Sequence, residues 1–149
     1  MKILIASDHA GVELKAKIVE ALQIENEVID LGPSTTASVD YPDYANLVCT
    51  TLRTEEDQPK LKEFGILICG SGQGMAIRAN RFKNIRAALV YNNEIAGLCR
   101  EHNNANIICI GARFVNADTA LNWINIFKES TFAQGGHQTR VAKLGELTS

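Results

Sequence analysis

The 149-residue sequence lacks several features that mark specialised classes of protein. Charged residues make up 21% of it and the formal net charge is -2, so it has neither a basic surplus for nucleic acid nor an acidic tail. No apolar run is long enough for a secretory signal or a membrane span, and the opening MKILIASDHAG breaks at Ser7. We therefore expect a cytoplasmic protein that binds neither nucleic acid nor membrane.

Cysteine, histidine and proline are also scarce, with four, three and three residues respectively. The cysteines lack the spacing of a small secreted protein, so we expect reduced thiols. There is no H-E-x-x-H motif and no pair of CxxC motifs, and Cys99 with His102 is too small a set to hold zinc. We expect no metal site. Without a repeat, linker or low-complexity tract, residues 1–149 should form a single domain.

Short apolar runs alternate with amphipathic stretches along the chain. The predicted strands are KILIA (2–6), NEVIDL (26–31), GILIC (65–69), RAALV (86–90) and NIICIG (106–111). The predicted helices span 11–23, 44–57, 74–82, 92–102 and 117–129. This order predicts an α/β fold with a parallel sheet covered on both faces. Ligands bind such sheets beyond the carboxyl ends of the strands, which directs attention to the segments SDHAG, CGSGQG and GARF.

The segment CGSGQG fails three familiar tests for a glycine-rich turn. A Walker A loop needs Lys and Ser or Thr after its last glycine, but Met75 and Ala76 follow Gly74. A dinucleotide fingerprint needs a glycine at position 75 and an acidic residue at the end of the next strand, and both are absent. A cysteine phosphatase needs an arginine six positions after its thiol, where Met75 stands.

What remains is a group of backbone N–H donors at the start of a helix, with no Cβ atoms in the way. Such a group binds phosphate or carboxylate, or stabilises an oxyanion that forms during a reaction. Cys69 lies at its edge, where the same donors favour a thiolate that can act as base or nucleophile. The alternative is that Cys69 is a small buried residue and the glycines only permit a tight turn. We favour function for Cys69 and a structural role for the other three cysteines.

Two of the three histidines stand where they could act in chemistry. Asp8 and His9 follow the first strand at the edge that carries Cys69, and Asp8 is also a natural helix N-cap. His102 ends a predicted helix, where the helix dipole favours the charged imidazole needed for acid–base work. It could equally be an ordinary C-terminal cation, with Asn103 or Asn104 as the cap.

Two arginines are candidates for an anion site. Arg113 follows the fifth strand, at the carboxyl edge of the predicted sheet, and Arg140 lies in the late segment HQTRV. A lone arginine is usually a solvated surface residue, but the guanidinium fork suits phosphate. Arg113 is the stronger candidate for binding phosphate, because it follows a strand at the carboxyl end of the predicted sheet.

The segments SDHAG, VDYP, ICGSGQGMAIRANR, IRAALV, REHNNANIICIGAR and GGHQTRV, in this order, resemble the type B ribose-5-phosphate isomerases. That family also contains allose- and galactose-6-phosphate isomerases. The resemblance implies a three-layer, Rossmann-like α/β/α domain with a five-stranded parallel sheet in which strands one and three are neighbours. It also implies a homodimer, or a tetramer formed by pairing of dimers. The active sites would lie between subunits, with residues of about 130–149 at the interface.

The resemblance implies an aldose–ketose isomerisation of a phosphorylated sugar, as in the pentose phosphate pathway, with no metal or cofactor. Cys69 would carry the proton between C2 and C1, and Ser71 with the backbone N–H groups through Gly74 would hold the enediolate oxygens. His102 of the partner subunit would open the sugar ring, with Asp8 and Asn103 nearby. The remaining implied substrate-binding residues are Tyr41, Gly70, Gly72, Gly74 and, around the phosphate, His9, Arg113, His137 and Arg140.

The chain departs from the family pattern at two positions. Gly136 stands where the family usually has an arginine before the late histidine, so one phosphate ligand is missing. Asn104 replaces the aspartate of the usual HND, which should loosen whatever orients that helix end. Some relatives use a glutamate at position 75 instead of the cysteine, whereas this chain has Met75 and the thiol. The presence of His102 argues against the galactose-6-phosphate enzymes, whose matching segment typically lacks it.

Our first hypothesis is therefore interconversion of ribose 5-phosphate and ribulose 5-phosphate. An isomerase for a six-carbon sugar phosphate, such as allose 6-phosphate, would use the same chemistry. An inactive phospho-sugar-binding module is the alternative from another class, because many doubly wound domains only bind ligands. Cys69 distinguishes the two classes, since a binding module does not need a thiol beside the donors.

Overall fold

The computed structural model describes residues 1–55 and 58–148 as five strands that alternate with helices. The strands are β1 (Lys2–Ser7), β2 (Glu27–Asp30), β3 (Glu63–Cys69), β4 (Ala87–Leu89) and β5 (Ile107–Gly111). The helices are α1 (Val12–Leu22), α2 (Tyr41–Thr51), α3 (Gln73–Ala79), α4 (Asn93–Glu101), α5 (Ala117–Glu129) and α6 (Gly136–Leu144). Short 3₁₀ turns at His9–Gly11 and Ala112–Phe114 follow β1 and β5. Within these described residues, no helix has the length and apolar character to cross a membrane.

All five strands are parallel, in the order β2-β1-β3-β5-β4. The predicted five-stranded sheet and the adjacency of the first and third strands are confirmed. Successive strand residues point to opposite faces, so each continuous apolar run serves two cores. Ile3, Ile66 and Ile108 pack under α1, α4 and α5, whereas Leu4, Leu67 and Cys109 pack under α2 and α3. Both faces are covered, as the three-layer prediction requires.

The connections after β1 and β3 leave the sheet in opposite directions. The chain goes from β1 through α1 to β2 on one side, and from β3 through α3 to β4 on the other. A crevice therefore opens between the carboxyl ends of β1 and β3. The backbone N–H of Asp8 donates to the carbonyl of Ile68 at 2.9 Å, which ties the two strand ends together at its floor.

The predicted helix over 44–57 is wrong at both ends. It begins at Tyr41, because Pro42 has the φ angle of a first helical turn and lacks only an N–H that would have no partner there. It ends at Thr51, because Leu52 takes an extended conformation and its side chain packs into the core. Residues 56 and 57 of the prediction lie outside the described residues.

Two further elements differ from the sequence prediction. The third helix stops at Ala79 rather than at position 82, because the Asn80 side chain both donates to and accepts from the backbone of Ala87. Helix α6 was not predicted, since its polar sequence after a glycine pair has no apolar face that is buried.

Candidate active site

Cys69 is the last residue of β3 and lies at the crevice. Its side chain is on the α2–α3 face of the sheet, together with Met75, and the residue is 5% exposed. The turn that follows needs glycine at two places. Gly72 has a φ of +77°, and a Cβ there would lie 3.1 Å from the backbone nitrogen of Gly111. A Cβ at Gly111 would in turn lie 2.8 Å from the carbonyl of Ser71. The turn therefore lies directly on the end of β5.

This turn presents free backbone donors. Ala76 is the first residue of α3 whose N–H donates to a turn carbonyl, that of Gly72. Within residues 1–55 and 58–148, the N–H groups of Ser71, Gly72 and Gly74 have no acceptor. Free N–H groups at a helix start create a positive region that attracts anions. The predicted donor group is therefore present next to the Cys69 position.

Two long side chains lie against the glycines of the turn. The ring of Tyr41, the first residue of α2, covers Gly74 so closely that any Cβ there would overlap it. The guanidinium of Arg113 covers Gly70, where a Cβ would lie 2.9 Å from its Nη1 atom. The N–H of Arg113 also donates to the Gly70 carbonyl at 3.1 Å. Both predicted binding residues therefore contact the turn, and the glycines are what allow the contact.

The segment SDHAG forms the opposite lip of the crevice. The buried Asp8 carboxylate accepts from the N–H groups of Ala10 and Gly11, at 2.9 and 3.2 Å, so its predicted role as an N-cap is confirmed. The Nδ1 atom of His9 accepts from the backbone N–H of Val39 at 3.2 Å. An imidazole that accepts at Nδ1 carries its proton on Nε2, which is left as a donor for a ligand.

The other predicted residues lie at the opposite end of the strands, where the amino termini of the parallel strands are. His102 follows α4 and precedes β5, whereas Cys69 pairs with Gly111 at the far end of β5. The five residues of β5 alone span about 13 Å, so the imidazole cannot contact the thiol of its own chain. The His102 ring stacks on the His137 ring, with 4.5 Å between centroids and 13° between planes. Asn103 is next to His102, and Arg140 lies one turn beyond His137 on α6.

The turn that carries His102 and Asn103 is held by an arginine that sequence reasoning missed. Arg100 is fully buried, and its Nη1 atom donates to the Asn104 side chain and to the Ala105 carbonyl, both at 2.7 Å. Burial lowers the pKa of Arg100 to about 10. Its Nε atom has no hydrogen-bond partner among the described residues. The signal in the sequence was the spacing of Arg100 and Asn104, four residues apart at a helix end.

Three of the four cysteines have the environment of structural residues. Burial raises the pKa of both Cys49 and Cys99 to about 11, and that of the fully buried Cys109 well above its usual value. These thiols stay protonated at neutral pH, which agrees with the structural role expected of them. No cluster of three or more His, Cys, Asp or Glu side chains suited to a metal ion occurs among the described residues.

The comparisons with known proteins agree with this geometry. A family model described as Ribose/Galactose Isomerase matches residues 3–144. The chain is 42% identical, over 95% of its length and 92% of the relative, to a probable ribose-5-phosphate isomerase B of Mycoplasma genitalium. The crystal structure of a ribose 5-phosphate isomerase from Thermotoga maritima superposes with a TM-score of 0.90 at 44% identity, and covers 98% of both chains.

A second solved structure contains a ligand. It is the ribose-5-phosphate isomerase B of Mycoplasma genitalium with bound ribulose-5-phosphate, with a TM-score of 0.89 and 41% identity over 97% of this chain and 93% of that one. Matches of this extent and identity establish the family. The chain belongs to the ribose/galactose isomerase family.

Proposed function

We propose that this chain interconverts ribose 5-phosphate and ribulose 5-phosphate in the cytoplasm, with Cys69 as the base. The names of its relatives and the ribulose-5-phosphate in one of them support the substrate. One observation in this chain carries the mechanism: a strand-end cysteine lies next to a turn whose N–H groups have no acceptor among the described residues. A binding module would need the donors but not the thiol.

The reaction moves one proton between adjacent carbons and one between the oxygens they carry. The Cys69 thiolate removes the proton from C2 of the open-chain aldose and becomes a thiol, while the C2 electron pair forms the C1–C2 double bond and the carbonyl oxygen becomes an oxyanion. The proton of the C2 hydroxyl passes to the C1 oxyanion. The thiol then returns a proton to C1, where the electrons of the double bond form the new C–H bond, the C2 oxygen becomes the ketone carbonyl, and Cys69 is again a thiolate. The low exposure of Cys69 suits this step, because a base with little hydration removes a proton from carbon more readily.

The intermediate needs donors that are already in place. The N–H groups of Ser71, Gly72 and Gly74 are fixed by the turn, so they require no reorganisation when the enediolate charge forms. Removal of one such donor from an oxyanion site typically costs about 10²–10³ in rate. The Ser71 hydroxyl, which accepts from the Gln73 N–H at 3.4 Å, can add a further donor to a substrate oxygen.

The phosphate needs positive charge and fixed donors at a distance from the thiol. Arg113 and the Nε2–H of His9 supply them at the crevice, and Tyr41 lies across the turn to contact the sugar. A guanidinium fork matches two phosphate oxygens at once. We assign the terminal phosphate to this group, and to His137 and Arg140 of a second chain.

The separation of the residues supports a site shared by two chains. His102 lies at the amino-terminal end of β5, so its imidazole would reach the Cys69 crevice from the partner in a homodimer. Helix α6 supports an interface in the 130–149 region, because it has no buried residue and Leu144 and Leu147 are 62% and 85% exposed. Burial of these two leucines against a second chain would remove their apolar surface from water.

A direct assay tests the proposal. Purified protein is mixed with ribose 5-phosphate, and ketose formation is followed with and without a chelator. We expect turnover that the chelator does not change, and a higher kcat/KM than for allose 6-phosphate or galactose 6-phosphate. A higher kcat/KM for allose 6-phosphate would make the protein a six-carbon isomerase, and binding without turnover would make it a binding module.

A further inference from the structure

One buried cation lies outside the residues discussed so far. Lys15, in the first half of α1, is 3% exposed, and its Nζ atom lies 2.7 Å from both carboxylate oxygens of Asp30 at the end of β2. No other lysine among the described residues is buried. Removal of an ammonium from water is costly unless it is paired, and such pairs often add little net stability. Because the pair is expected to add little net stability, we consider what its position in the fold holds in place.

The pair holds the start of the segment that connects β2 to α2, residues 31–40. The Asp30 carboxylate also accepts from the N–H of Gly32 at 2.9 Å. The Gly32 carbonyl accepts from the N–H of Ser7 at 3.0 Å, at the end of β1 and next to Asp8. Lys15 therefore fixes the orientation of the Asp30 carboxylate, which fixes the first turn of the segment against the lip of the crevice.

The other end of the same segment reaches the proposed substrate site. The N–H of Val39 donates to Nδ1 of His9, and Tyr41, which begins α2, covers Gly74. Between the two ends, residues 34–38 are all exposed, so they add little packing to hold the segment in place. The position of segment 31–40 therefore depends on the contacts at its two ends.

We propose that Lys15 and Asp30 are a positioning pair for the substrate site. They hold segment 31–40 so that Val39 keeps the proton of His9 on Nε2, directed to the ligand, and so that Tyr41 lies across the glycine turn. The catalytic part of this inference rests on the proposed isomerase function. Neither residue contacts the Cys69 turn, so the pair acts on phosphosugar binding and leaves the proton transfer itself unchanged.

The experiment compares Lys15→Met, which removes the charge and keeps most of the buried stem, with Lys17→Met. Lys17 is an exposed residue of the same helix and serves as the matched control. Three quantities are measured: the ¹⁵N chemical shifts of His9, which report its tautomer, the KM and kcat for ribose 5-phosphate, and the melting temperature. Lys15→Arg tests whether another cation restores the behaviour.

We expect the unaltered protein, Lys17→Met and Lys15→Arg to show His9 with its proton on Nε2. In Lys15→Met the two ring nitrogens should shift towards an averaged tautomer. The KM should rise about tenfold with kcat within about twofold, as expected for loss of uniform binding. If Lys15→Met does not fold, Asp30→Asn, at an exposed carboxylate, is used for the same readouts.

Several results would overturn the proposal. They are an unchanged His9 tautomer in a folded variant, a fall in kcat at constant KM, and a lower melting temperature with normal tautomer and KM. If the unaltered protein does not turn over ribose 5-phosphate but Lys15→Met still changes the His9 tautomer, the positioning role stands and the proposed function fails. The NMR and kinetic readouts therefore separate the two.

Discussion

At the scale of single residues, Cys69 differs from the other cysteines in its neighbours more than in its exposure. Cys49, Cys69 and Cys99 are 8%, 5% and 6% exposed, so access alone would not make one of them the reactive thiol. Of the three, only Cys69 precedes a turn whose N–H groups have no acceptor among the described residues, whereas Cys49 and Cys99 lie within helices. Chemical reactivity should therefore separate the three.

We expect iodoacetamide at pH 8 to modify Cys69 first. The pKa values of about 11 for Cys49 and Cys99 leave only about one thiolate in a thousand at that pH. Mass spectrometry of tryptic peptides locates the label, and ribose 5-phosphate should slow its appearance on Cys69. Label that appears first on Cys49 or Cys99, or no protection by substrate, would contradict the assignment.

The Asn104 side chain is a neutral amide, so it gives the buried Arg100 guanidinium a hydrogen bond but no opposite charge. Arg100 donates to an amide oxygen and to carbonyls, and none of the described carboxylates pairs with it. We expect Asn104→Asp to raise the free energy of unfolding at pH 7 by about 1–2 kcal/mol, because the ionised partner strengthens an existing hydrogen bond.

Urea unfolding measures this gain, with Asn125→Asp on the exposed side of α5 as the control. The new carboxyl should have a lowered pKa in the folded state, so its contribution should be present above about pH 4 and be lost as the pH falls through that folded pKa. A stability equal to or below that of the original protein would show that the carbonyls already satisfy the guanidinium.

At the scale of elements, the site depends on how closely α2 and β5 approach the glycine turn. We expect Gly74→Ala to displace Tyr41, since the two cannot occupy the same space, and to lower kcat/KM for ribose 5-phosphate at least about tenfold. Gly97→Ala is the matched control, because a Cβ there meets nothing closer than 3.6 Å.

In the helix interior, Gly97→Ala should leave kcat/KM unchanged and stabilise the protein by about 0.5–1 kcal/mol. Steady-state kinetics and thermal melting of the two variants test the contrast. Equal kinetics for both would mean that Tyr41 can move aside without cost.

The strands were predictable from sequence because most contain a short continuous apolar run bounded by polar residues, although β2 has only two apolar residues between acidic ones. The ends of the helices were harder to predict from the sequence. Asn80 ends α3 by bonding to Ala87, a contact that depends on where β4 lies. The Lys15–Asp30 pair was hidden for the same reason, because it forms only after α1 has crossed back over β2.

At the scale of the whole molecule, the candidate site residues form two groups at opposite ends of the parallel strands. The residues that follow β1, β3 and β5 meet at the carboxyl edge, as their positions after strands predicted. His102 and His137 come together at the other edge, although 35 positions of sequence separate them. The separation arises because His102 precedes β5 whereas Cys69 ends β3, and the proposed homodimer would bring the two groups together.

We expect two inactive variants to restore activity when combined. A Cys69→Ala chain retains His102, and a His102→Ala chain retains Cys69, so one of the two sites in a mixed dimer is intact. Refolding an equal mixture should give about a quarter of full activity, because half of the dimers are mixed and half of their sites are complete. Light scattering verifies the dimer, and activity no higher than that of the two variants alone would place each site within one chain.

The most direct test of the account is the kcat of Cys69→Ala for ribose 5-phosphate, measured beside Cys109→Ala, a buried thiol of the neighbouring strand. Affinity for ribulose 5-phosphate is measured by calorimetry in both variants. The account predicts that kcat falls by at least about 10³ in Cys69→Ala, with affinity nearly unchanged, and stays normal in Cys109→Ala. Normal turnover by Cys69→Ala would contradict it.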